Sequence, residues 1–170
     1  NYRMPGAKNT LQLLWEKSRD FLQKAFSVIL LATIVVWFLQ SFGPSLDYVT
    51  DSSDSLMAMV SGLLAPLFAP LGLGDWRIVT ALISGFMAKE SVVSTLQVLF
   101  GGSVASVMTP LAALCMLIFC LLYTPCVAAV ASIRRELGGR WAVGVVFFQC
   151  AVAYLAAFLA HIIGMLCGMV

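Results

Sequence analysis

Between Trp141 and Val170 no Asp, Glu, Lys or Arg interrupts the chain, and Gln149 and His161 are its few strongly polar side chains. A hydrocarbon layer about 30 Å thick is crossed by roughly 20 apolar residues in helical form, so this run is long enough to cross with tilt. Lipid is the expected solvent. Composition agrees: of 170 residues 61% are hydrophobic and 11% charged, against roughly a quarter charged in an average soluble domain. The net charge of +2 is too small and too scattered for the basic stripe that nucleic acid requires. Nucleic acid is excluded as a partner.

The N-terminal end reads as one long helix from about Thr10 to Phe42. It starts amphipathic, with Leu14, Phe21, Leu22 and Phe26 among charges, and turns uniformly apolar from Ala25 to Leu39. The chain therefore divides into an amphipathic juxtamembrane helix over residues 1–24 and a transmembrane part over 25–170. Arg3, Lys8, Lys17, Arg19 and Lys24 precede the apolar run, whereas Asp47, Asp51 and Asp54 follow it without a Lys or Arg among them. Positive segments are retained in the cytoplasm, which predicts a cytoplasmic N-terminus. The first residues lack the layout of a signal peptide, and the chain reads as a piece of a longer protein.

Three further apolar stretches are interrupted. Leu56 to Leu73 carries Pro66 and Pro70, each of which removes a helical hydrogen bond, so a short surface-lying or re-entrant helix is expected. Trp76 to Phe100 is about 25 residues long, close to one span, yet holds Lys89 and Glu90 near its middle. Thr109 to Leu137 contains Pro125, which must kink or break it, and reaches water at Arg134, Arg135 and Glu136. The expected fold is an all-α, polytopic transmembrane bundle with four or five crossings. Gly62, Gly85 and Gly144 are expected to allow close helix approach, and Trp15, Trp76 and Trp141 to anchor at interfaces.

Two places can carry chemistry. The first is Gly85-Phe86-Met87-Ala88-Lys89-Glu90-Ser91. An ionised side chain at mid-membrane costs at least a few kcal/mol and marks a functional site by default. Adjacent helical residues diverge by about 100°, so Lys89 and Glu90 are poor mutual partners, and at least one is expected to meet another helix or a passing ligand. Met87 lies one turn before Glu90 and Ser94 one turn after, so a thioether, a carboxylate and a hydroxyl share a face if the helix is continuous. The second place is Tyr123-Thr124-Pro125-Cys126. Pro125 frees a carbonyl one turn back, and unwound backbone is tolerated at membrane depth where it lines a cavity or is buried in protein. A thiol there is a soft ligand that suits ferrous iron, copper(I) or zinc better than sodium or magnesium. Cys115, eleven residues earlier, would share a path with Cys126 on an unbroken helix without sharing an ion. His161 is expected to bond to a neighbouring helix. The five cysteines have no paired spacing for a zinc knuckle or disulfide framework, and no phosphate loop, serine-histidine-aspartate set or zinc-protease helix is visible.

The strings Ala65-Pro66-Leu67-Phe68-Ala69-Pro70-Leu71-Gly72, Asp75-Trp76-Arg77, Gly85-Phe86-Met87-Ala88-Lys89-Glu90 and Tyr123-Thr124-Pro125-Cys126, in this order and spacing, resemble the C-terminal membrane region of the ferrous iron transport protein B (FeoB) family. Tyr2-Arg3-Met4-Pro5 and Trp15 to Phe21 extend the resemblance over essentially the whole chain. It implies a transporter segment and not an enzyme, holding the second of two Gate modules, in the bacterial inner membrane. It implies Fe2+ as transported substrate, with metal contacts at Cys126 and Glu90 and lesser candidates in Cys115 and Met87. Lys89, Pro125, Gly85 and Thr124 are implied as gating or structural residues. No cofactor is expected in this chain, since GTP and Mg2+ would bind a separate cytoplasmic GTPase domain. The implied partners are the lipid bilayer, the remaining FeoB-like helices and GTPase domain, small cytoplasmic Feo proteins and further copies of the chain. Two alternatives stand beside this reading: a Gate-type carrier of nucleosides or another solute, which would require more hydrogen-bonding side chains than Ser84, Ser94, Thr95 and Gln97, and a non-transporting membrane scaffold.

Overall fold

The computed structural model describes residues 6–49, 51–87, 89, 91–102, 104, 108–123 and 126–168, without the side chains of Phe21, Lys24 and Ala25. The described residues are helical apart from turns and an isolated bridge between Phe42 and Tyr48. Helix α1 (Ala7–Ser41) runs unbroken through its amphipathic and apolar parts. Most of its large side chains, including Leu14, Trp15, Leu31 and Trp37, face outward, as lipid-facing residues do.

Helix α2 (Leu56–Phe68) begins at Ser55, whose hydroxyl accepts from the amide of Ala58 at 3.1 Å. This cap satisfies one of the amides that a helix start leaves unpaired. Pro66 lies in its last turns, and a 3-10 turn (Ala69–Leu71) carrying Pro70 follows. Gly72, at φ 73°, closes that turn in the left-handed region that glycine adopts at no steric cost. The unit from Leu56 to Leu71 then meets α3 (Trp76–Met87) at 102°. The double-proline segment is thus the first arm of a sharply bent pair, as the prolines predict.

Helix α3 is the centre of the molecule: Ile78, Val79, Thr80, Ala81, Leu82, Ser84 and Gly85 are all buried. The side chain of Asp75 starts it by accepting from the amide of Arg77 at 2.8 Å. Helix α4 (Ser91–Leu99) is separate from α3, so the apolar stretch from Trp76 to Phe100 is divided at its charges. After a loop, α5 (Pro110–Leu122) starts from Thr109, which caps the amide of Ala112 at 3.2 Å. Helix α6 (Val127–Leu137) follows the Pro125 segment, and α7 (Gly139–Leu166) turns back after Gly138.

Small residues bring α5 and α7 together. Ala153 and Ala157 are fully buried, and a Cβ at Gly164 would collide with the side chain of Leu111. Lipid offers no hydrophobic drive between helices, so close van der Waals packing of this kind holds the pair. Gly85 also has a close neighbour, as expected, whereas among the described residues nothing lies within 4 Å of a Cβ built on Gly62 or Gly144. Among the described residues no helix makes a close approach at those two glycines. The tight contacts fall instead at Gly164 and at Gly72, where a Cβ would stand 3.2 Å from the His161 ring.

Among the described residues two stretches are long and apolar enough to cross a bilayer, Pro110–Leu137, which comprises α5 and α6, and Gly139–Leu166, or three if the bent pair counts as one crossing. The expected four or five crossings are not reached by these criteria. The apolar part of α1, Phe26–Ser41, is short, and the run from Trp76 to Phe100 is split between α3 and α4.

Candidate permeation site

The two interrupted helices meet at their breaks. Lys89, between α3 and α4, donates from Nζ to the carbonyl oxygen of Tyr123 at 2.9 Å and lies 3.4 Å from that of Leu121. Its ammonium also stands 4.9 Å from the centroid of the Tyr123 ring, within range of a cation–π attraction. The physical reason lies in Pro125. In a continuing helix the carbonyl of Leu121 would accept from the amide of residue 125, and proline has no N–H to give. The half-buried ammonium takes up the acceptors that this break leaves unpaired.

Tyr123 is buried and joins the breaks from its other end. Its backbone is extended (φ −68°, ψ 172°), which ends α5, and its hydroxyl donates to the carbonyl of Leu82 at 3.3 Å. Gly85 makes room for this, since a Cβ there would lie 2.7 Å from the Tyr123 hydroxyl and collide with Val92. Phe119 stacks on Tyr123 with centroids 5.4 Å apart and meets Phe68 edge-on at 5.3 Å. An aromatic column therefore runs from the bent corner after α2 to the α5 break. Tyr154 of α7 adds a hydrogen bond to the carbonyl of Leu67 at 2.9 Å, where the prolines have loosened α2.

Cys126 is half-buried at the start of α6, with extended backbone (φ −56°, ψ 158°) and a carbonyl that accepts from Ala129 at 2.9 Å. It is thus at a helix break, as expected for an intramembrane proline-cysteine pair. Met87 is the half-buried last residue of α3. Of the expected common face of Met87, Glu90 and Ser94, Glu90 lies outside the described residues, while Met87 ends α3 and Ser94 stands, exposed, on the separate helix α4. Glu90, Thr124 and Pro125 lie outside the described residues. Cys115 does not share a helix with Cys126, because α5 ends between them. Its fully buried sulfur lies 3.8 Å from Nδ1 of His161 on α7, which bears out the expectation that His161 bonds to a neighbouring helix. Among the described residues no three His, Cys, Asp or Glu side chains converge as a metal-ion site.

Beside α3 lies a cleft of about 220 Å³, lined by Trp76, Val98 and Leu99 and by the polar side chains of Gln40, Ser52 and Ser94 among others. The Gln40 amide donates to the Ser84 hydroxyl at 3.1 Å, so the cleft is tied to the residue beside Gly85. The Ser91 hydroxyl donates to the Ser84 carbonyl at 3.3 Å. Sequence reasoning missed Gln40 and Thr80. The signal for Thr80 was a hydroxyl in an apolar helix, which must find a partner and finds Ser61 at 2.8 Å.

Together these features define an α-helical integral membrane domain built on interrupted helices that meet at their breaks, and paired interrupted helices recur in transporters. The sequence profile of the Gate family, described as nucleoside recognition, matches residues 22–140, and the chain belongs to that family. Among curated proteins it is 36% identical to the Fe(2+) transporter FeoB of Methanocaldococcus jannaschii and 35% identical to that of Staphylococcus aureus, each over 96% of this chain. A Fe(2+) transport protein A/Fe(2+) transporter FeoB fusion protein of Porphyromonas gingivalis is 29% identical over 97% of it. The resemblance to the FeoB membrane region read from the motifs is thereby borne out. The chain spans 26% of the length of these relatives. No solved structure matches.

Proposed function

We propose that the chain is the membrane part of a ferrous iron uptake transporter and forms part of the Fe2+ permeation path. The observation that carries this is the meeting of two helix breaks, with the half-buried Lys89 on the backbone oxygens of Leu121 and Tyr123, the latter three residues before Cys126 in the sequence. A borderline dication exchanges hydration water for a thiol, a carboxylate and freed carbonyls, and weak binding at several sites lets it leave again. Cys126 is the soft ligand in this reading and Glu90 the hard ligand or charge balancer. Met87 and Cys115 are lesser candidates, the latter removed from the break by its pairing with His161. Gly85, Thr124 and Pro125 shape the gate.

The reading extends to the whole transporter. The chain sits in a bacterial inner membrane with its N-terminus in the cytoplasm, beside the remaining FeoB-like helices, and works with a GTPase domain that binds GTP and Mg2+. Small cytoplasmic Feo proteins and further copies of the chain are its proposed partners; the fused protein A of the Porphyromonas gingivalis relative supports the first of these. Ferrous uptake by proteoliposomes of the chain, beside C126S and E90Q, tests the path. Uptake lost in both variants supports it. Uptake unchanged in both sinks the ligand roles.

A specific observation favours a second reading, a carrier of nucleosides or similar solutes. The cleft adds Gln40 and Ser52 to the hydrogen-bonding groups counted in the central helices. Uptake inhibited by nucleosides and indifferent to ferrous ions would establish it over the first.

A further inference from the structure

We infer that Lys89 is a tethered resident cation: its ammonium occupies the backbone-oxygen cradle of Leu121 and Tyr123, and a passing dication must displace it to use those oxygens. The inference rests on the proposed ion path through the α5 break. It begins from the sequence, since Pro125 has no N–H and so leaves the Leu121 carbonyl without its helical donor. The structure then shows what takes the place of that donor. Nζ of Lys89 sits 2.9 Å from the Tyr123 oxygen and 3.4 Å from the Leu121 oxygen, over the face of the Tyr123 ring at 4.9 Å. Two carbonyls and an aromatic face form a cation receptor, and backbone carbonyls are the groups that replace hydration water in selective pores.

The occupant is also free to leave. Lys89 lies outside α3 and α4, in the gap that separates them, and is only half-buried. Four methylenes let an ammonium swing away without unfolding either helix. An ammonium hydrogen bond is longer than the roughly 2.0–2.6 Å of metal–oxygen bonds, so a dication in the cradle draws the oxygens inward and leaves no room for Nζ. Occupancy is therefore exclusive. With the ammonium seated, the two oxygens are occupied and a second positive charge is repelled. With it displaced, the oxygens become ligands for the dication.

A site that is open only part of the time has its apparent affinity reduced by that fraction. If Lys89 is seated about nine-tenths of the time or more, a neutral side chain at 89 raises dication affinity about ten-fold or more. The test titrates Co2+ into the full chain in lipid nanodiscs, with binding followed by isotope retention and the thiolate-to-cobalt absorption band reporting Cys126. The variants are K89M, K89Q, K89R and each neutral change combined with C126S, with helical circular dichroism read throughout. Tighter binding in a folded neutral variant, with K89R close to the unmodified chain, is the expected result. Neutral variants that bind no more tightly overturn the inference. So does loss of the folded state in both of them, which would make Lys89 a structural strut. The two readings separate cleanly. Tighter binding that lacks the thiolate band and survives C126S sinks the Cys126 role and leaves the Lys89 claim standing. Binding that C126S abolishes but that K89M and K89Q leave unchanged does the reverse.

Discussion

The hydroxyl of Tyr123 reaches across Gly85 to the carbonyl of Leu82, 3.3 Å away, and so fastens the end of α5 to the middle of α3. Its consequence is that residue 85 has no space for a methyl group. Replacing Gly85 by Ala places a Cβ against Val92 and 2.7 Å from that hydroxyl. Overpacking of this kind costs about 1–3 kcal/mol. Thermal unfolding of G85A in detergent should occur at lower temperature, with part of the loss recovered in G85A/V92A. An unchanged midpoint would mean that the α3–α4 contact is looser than the structure has it.

Thr80 and Ser61 are both buried and bond to each other at 2.8 Å. Removing one partner strands the other, which costs about 1–3 kcal/mol, whereas removing both is closer to neutral. T80V is therefore expected to destabilise the chain more than the double variant T80V/S61A does. A double-mutant cycle read by denaturation in mixed micelles measures the coupling. Additive effects would refute it.

The cysteines should differ in reactivity. Cys115 is fully buried against His161, while Cys126 is half-buried at a break. A small maleimide is expected to label Cys126 in the folded chain and Cys115 only after unfolding, as mass spectrometry of digested peptides would resolve. Under the proposed function, anaerobic ferrous iron slows labelling at Cys126 and leaves the Cys115 rate alone. Equal protection of both thiols would point to a global effect of iron and not to a ligand.

Gln149 of α7 has a buried amide oxygen with no hydrogen-bond partner among the described residues. An unsatisfied buried acceptor carries a desolvation penalty of about 1–3 kcal/mol. Q149L should hold the unfolding midpoint or raise it. A marked loss of stability in Q149L would mean that the amide is anchored.

By itself, the sequence determined that this chain belongs in lipid, that it is helical, and where its helices fail. Pro125 has no amide hydrogen in any fold, and Lys89 and Glu90 are costly in any apolar helix, so both interruptions were legible from residue chemistry alone. The family resemblance was legible for the same reason, because its motifs cluster at those interruptions. Tertiary structure decided what the interruptions do for each other. That Lys89 finds the oxygens that Pro125 frees, 36 residues on, depends on the end of α5 being brought against the gap after α3, and no local pattern encodes that meeting. The pairing of Cys115 with His161 was hidden likewise, since helical spacing relates residues only within one unbroken helix. Glycines were ambiguous for a related reason. Absence of a side chain permits a close neighbour but does not supply one, so Gly85 and Gly164 meet other helices while Gly62 and Gly144 meet none among the described residues.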